Sequence, residues 1–152
     1  MKKIKFDYKI IGDITEYTAK EFISFLEESK PGIVKVLLDT SGGSGESATA
    51  IRDYIWTYGY KVHFYCLGRV ESSGLIILNA GDKKFSFPHC TFMTHAPKAG
   101  NGKWYAQREH AKKLKIFSVI MQTITPKIKI TKDPYYLDAH EAIAHGLIDT
   151  IL

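Results

Sequence analysis

Apolar positions along this chain alternate between two periods, and the alternation predicts its elements in order. Phe6 to Ile11 has the β-rich character of a first strand. Thr18-Ala-Lys-Glu21 then has the spacing of a capping box, and Ala19, Phe22, Ile23 and Leu26 share one helical face up to the Lys30-Pro31-Gly32 stop. Gly32 to Leu38 is a continuous Val/Leu-rich run, the mark of a buried strand. After the loop Ser41-Gly42-Gly43-Ser44-Gly45, Ala48, Ile51 and Ile55 recur at helical spacing, with Gly59 placed to end the helix. Lys61 to Leu67 predicts a third strand running into Gly68. The short apolar segment Ser72 to Ala80 predicts a helix closed by Gly81 as a left-handed cap.

Two short strands are expected around Phe85–Phe87 and Thr91–Thr94, followed by a glycine loop at residues 98–102. From Lys103 to Ile124 the period is that of one long helix. Leu114, Phe117, Met121 and Ile124 form its apolar stripe, with Arg108, Glu109, Lys112 and Lys113 mostly off it, so the stripe should pack on a neighbouring layer or subunit. A helix at Asp138–His145 and a closing strand, residues 147–152, complete the chain. Strands separated by helices predict an α/β architecture with parallel pairing. No repeat or linker divides the sequence, which reads as a single domain over residues 1–152.

Composition narrows the class. The apolar fraction of 45% and charged fraction of 24% are those of an ordinary globular chain and exclude a disordered or fibrous one. Two cysteines, Cys66 and Cys90, cannot staple 152 residues and read as buried thiols in a reducing compartment. No apolar run approaches the roughly 18 residues of a membrane span, and no signal-peptide block follows the N-terminal lysines, so a soluble, cytoplasmic protein is expected. The excess of 21 Lys and Arg over 16 Asp and Glu gives a formal charge of +5. Its lysines are scattered, and the pairs Lys83–Lys84 and Lys112–Lys113 read as solvated faces rather than a nucleic-acid footprint.

Three junctions carry candidate chemistry. The Gly42-Gly43 loop leaves a buried strand and opens a helix, so its amides can face an anion; it lacks the spacing of a P-loop or a dinucleotide fingerprint, and a plain tight turn is the alternative. Gly68 to Gly74 places Ser72 and Ser73 at a second strand-to-helix junction, where a serine is commonly only a helix cap. A nucleophilic serine needs a base and fixed amide donors for its oxyanion. Of six histidines, His95 alone ends a strand pattern and precedes a glycine-rich loop; His63, His89, His110, His140 and His145 read as structural or exposed.

Taken together these blocks resemble the proteolytic subunit of the Clp protease, a serine peptidase family with the crotonase-like fold. Asp39-Thr-Ser-Gly-Gly-Ser44 stands where that family has Asn-Ser-Pro-Gly-Gly-Ser, and Ala50-Ile-Arg-Asp53 where it has Ala-Ile-Tyr-Asp. Cys66-Leu-Gly-Arg-Val-Glu-Ser72-Ser-Gly74 is similar to its nucleophile turn, Gly-x-Ala-Ala-Ser-Met-Gly. Ile77 to Phe85, Pro88, Met93-Thr-His-Ala-Pro97 and the closing Ala139 to Asp149 segment follow in the family's order.

The resemblance implies a crotonase-like fold of repeated β-β-α and βαβ layers with a long oligomerisation helix, and a serine endopeptidase working through an acyl-enzyme. It makes Ser72 the nucleophile, with Ser73 its rival by adjacency, and His95 the general base. The amides of Gly43 and Ser73 become the oxyanion donors. Histidine suits a base because its ordinary pKa, about 6.5, lies near working pH. Asp133 is the orienting carboxylate, displaced by one residue because Pro134 occupies the family position; Asp138 or no carboxylate are the alternatives. No cofactor or metal is implied. The implied partners are a peptide or unfolded-protein substrate and further copies of the chain in a ring.

Departures qualify the assembly. Glu71 replaces a small alanine before the nucleophile, Ser41 replaces the loop proline, and the segment after His95 is shorter than the family's handle, which bears on the stacking of two rings. The start of the chain lies almost at the first strand, so the axial segment that contacts an AAA+ unfoldase is expected to be missing. These departures motivate a second reading, a non-catalytic assembly or binding module of the same fold. A third is an acyl-CoA enzyme, whose chemistry would leave the serine and His95 without a purpose.

Overall fold

A computed structural model describes residues 3–97 and 104–152. The elements follow in the order β1 (Tyr8–Ile11), α1 (Glu16–Glu28), β2 (Ile33–Thr40), α2 (Gly45–Tyr58), β3 (Lys61–Glu71), α3 (Gly74–Asn79), β4 (Lys83–Ser86), β5 (Thr91–Thr94), α4 (Trp104–Ile124), β6 (Tyr135–Leu137), α5 (Ala139–Ala144) and β7 (Thr150–Ile151). Parallel pairing joins β1, β2, β3, β4 and β7 in that order, while β5 pairs in parallel with the far end of β3 and antiparallel with β6. α1 packs on α2, α2 on α3 and α3 on α4. The strands are separated by helices because a parallel pair needs a crossover too long for a hairpin.

The apolar faces meet in a continuous core in which Phe22, Phe64, Phe92, Leu38, Ile51 and Ile77 are fully buried. Each such side chain contributes about 1.5–3 kcal/mol relative to exposure. β7 is clamped by Asp149, whose carboxylate accepts from the Lys84 amide at 2.7 Å while its own amide donates to the Lys84 carbonyl at 2.8 Å.

Several boundaries differ from the sequence reading for local reasons. α1 starts earlier: Thr15 is the cap, its hydroxyl accepts from the Thr18 amide, and Thr18 returns the bond to the Thr15 amide, so the reciprocal pair is Thr15/Thr18 and not Thr18/Glu21. β1 begins at Tyr8 and β2 runs on to Thr40. α3 ends on Ala80 with right-handed backbone, and Gly81 is not a left-handed cap. It is small for another reason: a Cβ there would stand 2.8 Å from the Phe64 ring. The closing strand is reduced to Thr150–Ile151, and β6 is an element the residue pattern did not predict. The glycine loop expected at 98–102 and the start of the long helix at Lys103 lie outside the described residues, as do the side chains of Arg108, Glu109 and His110.

β3 is also longer than the Lys61–Leu67 strand expected. Its ladder with β2 pairs Leu38 with Cys66 and then Thr40 with Val70, so Leu67, Gly68 and Arg69 bulge opposite Asp39 alone. Gly68 has a φ of 63°, and a Cβ on it would lie 3.0 Å from the Asp39 carboxylate, which also accepts from the Arg69 amide at 3.3 Å. A bulge bends and re-aims its strand. Here it carries the end of β3 away from β4 and onto β5, and so delivers Ser72 to the edge where His95 emerges.

Candidate active site

Ser72 follows β3 directly and has a φ of 53°, the one non-glycine residue with positive φ among those described. L-residues pay roughly 1–2 kcal/mol for that conformation, and two bonds hold it: the Ser72 amide donates to the Met93 carbonyl at 2.8 Å, and its carbonyl accepts from Leu75 at 3.0 Å. Such a strained strand-to-helix turn lifts a side chain clear of the backbone. His95 leaves the end of β5, the strand paired with the end of β3, so two segments distant in sequence emerge side by side.

The distance between Ser72 Oγ and His95 Nε2 is 2.9 Å. The other ring nitrogen, Nδ1, lies 2.6 Å from the Ala96 carbonyl oxygen. A carbonyl can only accept, so Nδ1 carries the proton of the neutral ring, and Nε2 is left with a lone pair to receive the serine O–H. The tautomer needed for proton abstraction is therefore set by main chain.

Asp133 does not face Nδ1 in this arrangement. It is exposed, in the bend between Thr131, whose carbonyl accepts from the Ala96 amide at 2.7 Å, and Tyr135, which pairs with Thr94; its described hydrogen bond is from Thr131 Oγ1 to its carbonyl oxygen. Asp138 is occupied as the cap of α5, accepting from the Glu141 amide at 2.8 Å. Among the described residues no carboxylate pairs with His95.

The glycine pair lies against this junction. A Cβ on Gly42 would be 2.8 Å from Ser72 Cβ, and one on Gly43 would be 2.3 Å from the Ile14 carbonyl oxygen. Positive φ values of 99° and 143° likewise suit glycine alone. Ile14 grips the loop from both sides, its amide donating to the Gly42 carbonyl and its carbonyl accepting from the Ser44 amide. Among the described residues the amides of Gly43 and Ser73 donate to no carbonyl, and both residues line the same cleft as Ser72 and His95. Ser73 stands at the cap position of α3 without making the cap bond, and its buried hydroxyl has no partner among the described residues.

The cleft encloses about 440 Å³. Its apolar lining comes from Ile76 of α3 and from Leu114, Phe117 and Met121 of α4, the ring of Phe117 lying against Gly45. The stripe Leu114 to Ile124 thus packs on layers of its own chain, while Ile116 and Val119 of α4 stay exposed. Sequence reasoning missed two participants: the Ala96 carbonyl, which as main chain leaves no residue-type signal, and the ion pair of Glu46 with Lys113 at the cleft. Of the other histidines, His89 and His140 are exposed and His63 Nε2 sits 3.5 Å from Asp82. Cys66 and Cys90 are free and buried, and burial pushes the Cys90 thiol up to about 12 and the Cys66 thiol well above its usual range. No group of side chains suited to a metal ion occurs among the described residues.

A parallel sheet layered with helices, carrying a serine and a histidine at adjoining strand ends beside two unbonded amides, is the crotonase-like fold of the Clp peptidases. Residues 4–152 match the sequence model of the Clp protease family, and the chain belongs to that family. It is 30% identical to the ATP-dependent Clp protease proteolytic subunit 2 of Chlamydia trachomatis serovar D and 32% identical to that of Chlamydia muridarum, each comparison covering 92% of this chain and 77% of the relative. The ATP-dependent Clp protease proteolytic subunit 1 of Chlamydia felis is 30% identical over 92% of this chain and 77% of that relative. These similarities support a proteolytic subunit. No helix among the described residues is long and apolar enough to cross a membrane.

Proposed function

We propose that the chain, as one peptidase domain, is a serine endopeptidase that cleaves peptide bonds through an acyl-enzyme on Ser72. The observation that carries this reading is the 2.9 Å approach of Ser72 Oγ to His95 Nε2, with Nδ1 committed to the Ala96 carbonyl. A serine hydroxyl attacks poorly until a base takes its proton. His95 accepts that proton as Oγ bonds to the scissile carbonyl carbon, then returns it to the amine as the C–N bond breaks. The carbonyl oxygen, now negative, is stabilised by the amides of Gly43 and Ser73. Water then attacks the ester with His95 again as base, releasing the acid and restoring Ser72.

The imidazolium formed on the way is stabilised in part by the Ala96 carbonyl dipole. Asp133 sits on the segment bonded to Ala96 and paired with Thr94, outside contact with the ring. On this reading Asp133→Asn slows acylation less than tenfold, against the roughly 10⁴-fold cost of losing a carboxylate that itself fixes the histidine tautomer. The chain works as a homo-oligomer joined through the exposed Ile116 and Val119 of α4, takes unfolded polypeptide as substrate, and can serve an AAA+ unfoldase. The unpaired, buried thiols of Cys66 and Cys90 support a cytoplasmic site of action.

The test is covalent labelling. A fluorophosphonate should modify the native protein at Ser72, and Ser72→Ala should abolish the modification. Labelling that survives that substitution overturns the reading.

A further inference from the structure

Residues 43–46 form a ridge with a depression on either side. On one side they line the cleft that holds Ser72, where Gly45 meets the ring of Phe117. On the other, Ser44 and Glu46 line a groove of about 580 Å³ between the first turns of α1 and α2. The parallel bridge of Ile14 with Gly43 sets those turns side by side, since each helix begins two residues after it. Much of the remaining lining is slim: Ile14, Ala19 and Ser47 are buried, and Ala50 is exposed. Short side chains on two neighbouring helices leave room for another main chain to lie against them.

The cleft alone, at about 440 Å³, has the size of a pocket for a drug-sized molecule. Each extended residue adds about 3.3–3.6 Å, so an unfolded polypeptide held at Ser72 runs out of it. Resting on the peptidase reading above, we infer that one end of the substrate crosses the ridge at Ser44 and lies in the groove between α1 and α2, which is a distal subsite for extended polypeptide. The continuity of the two surfaces through Ser44 and Glu46 carries the inference. The subsite takes residues with small or apolar side chains where they face Ala19 and Ala50. It favours long chains over short ones, because contact made far from the scissile bond is open only to a substrate that reaches it. Ile14, which grips the loop around Gly43, also lines this groove, so the subsite and the proposed oxyanion donor share one support.

The experiment uses the whole chain and two series of peptidyl phosphonates, which form a covalent bond to a nucleophilic serine. One series is extended on the N-terminal side of the phosphorus and the other, through a retained ester, on the C-terminal side, each from two residues to about seven. The reacting residue is kept apolar and the extension is alanine. The quantity read is the ratio of long-probe to short-probe rates of Ser72 modification, followed by mass spectrometry, so that any change common to both probes cancels. Ala50→Gln fills the groove with a good helix former at an exposed helical position, and Ala50→Ser keeps the side chain small.

In one of the two series the ratio should rise by about fivefold or more at the length that reaches the groove. Ala50→Gln should remove most of that rise and Ala50→Ser should keep it. A diazirine carried at that length should cross-link to residues 14–19 or 47–50 of the chain whose Ser72 holds the probe, as a mixture of isotopically light and heavy chains reveals. A ratio independent of length in both series, a rise that Ala50→Gln leaves whole, or cross-links made only to a second copy overturn the inference, while modification of Ser72 by the shortest probe leaves the peptidase reading intact. Failure of the shortest phosphonate and of the fluorophosphonate alike to modify Ser72 overturns that reading, and the subsite falls with it.

Discussion

Replacement of Gly43 by alanine tests the proposed oxyanion donors most directly. The added Cβ would stand 2.3 Å from the Ile14 carbonyl oxygen and 2.9 Å from the Ile14 amide, so one chain must retreat by about 1 Å to reach ordinary contact. That retreat breaks or lengthens the two bonds by which Ile14 grips the loop, from its amide to the Gly42 carbonyl at 2.9 Å and from the Ser44 amide to its carbonyl at 2.8 Å. At about 0.5–1.5 kcal/mol for each hydrogen bond, and a further 1–2 kcal/mol for an L-residue at positive φ, the variant should lose roughly 2–5 kcal/mol of stability. Gly59→Ala supplies the comparison, since Gly59 has a φ of 67° with no atom within 4 Å of its Cβ position and so pays only the conformational part. The consequence for the site is larger. On the proposed function, moving the Gly43 amide removes one of two oxyanion donors, which in serine hydrolases costs about 10²- to 10³-fold in rate. Denaturant unfolding of both glycine variants gives the stability difference, and fluorophosphonate labelling of the folded fraction gives the rate. A Gly43→Ala protein no less stable than Gly59→Ala, or one that labels Ser72 within threefold of the native rate, would refute the reasoning.

Ser73→Ala should keep Ser72 labelling and leave stability unchanged or raised by up to about 1–2 kcal/mol, because it deletes a buried hydroxyl that has no partner; loss of labelling would make Ser73 the nucleophile. The thiols predict an alkaline limit. With folded pKa values above the unfolded value near 9, Cys66 and Cys90 favour the native state in full below pH 9, and this contribution is lost as pH rises through the folded values, which for Cys90 is about 12. The urea midpoint of the Cys66→Ala, Cys90→Ala double variant should therefore fall less steeply over that window than that of the native protein, and parallel profiles would contradict it. Sedimentation at micromolar concentration should show an oligomer that Ile116→Lys together with Val119→Lys dissociates, since both are more than half exposed on α4; an unchanged species would place the interface elsewhere.

Much of the architecture was legible because it rests on neighbouring residues. Ala48, Ile51 and Ile55 face the core at the spacing that predicted their helix, and Gly59 ends it with left-handed backbone. The errors have one origin, which is contact with remote parts of the chain. Gly81 looks like a cap in sequence but is required by the ring of Phe64, and the extension of β3 past Gly68 depends on Asp39 holding the bulge. The stripe on α4 is legible as apolar and predicts packing on a layer or a subunit, and the tertiary structure places Leu114, Phe117 and Met121 of it on the cleft.

The candidate site divides in the same way. Residue type and local order singled out Ser72, His95 and the Gly42-Gly43 turn, since a strand-to-helix junction, a strand-end imidazole and a pair of glycines are all properties of short segments. Their meeting belongs to the tertiary structure alone: Ser72 and His95 are 23 residues apart, and they touch because β3 bends at its bulge to pair with β5. The partner of His95 Nδ1 is likewise a decision of the fold. A carbonyl oxygen is present on every residue and so carries no signature in sequence, and only the path of the chain after β5 determines that the one on Ala96 turns toward the ring.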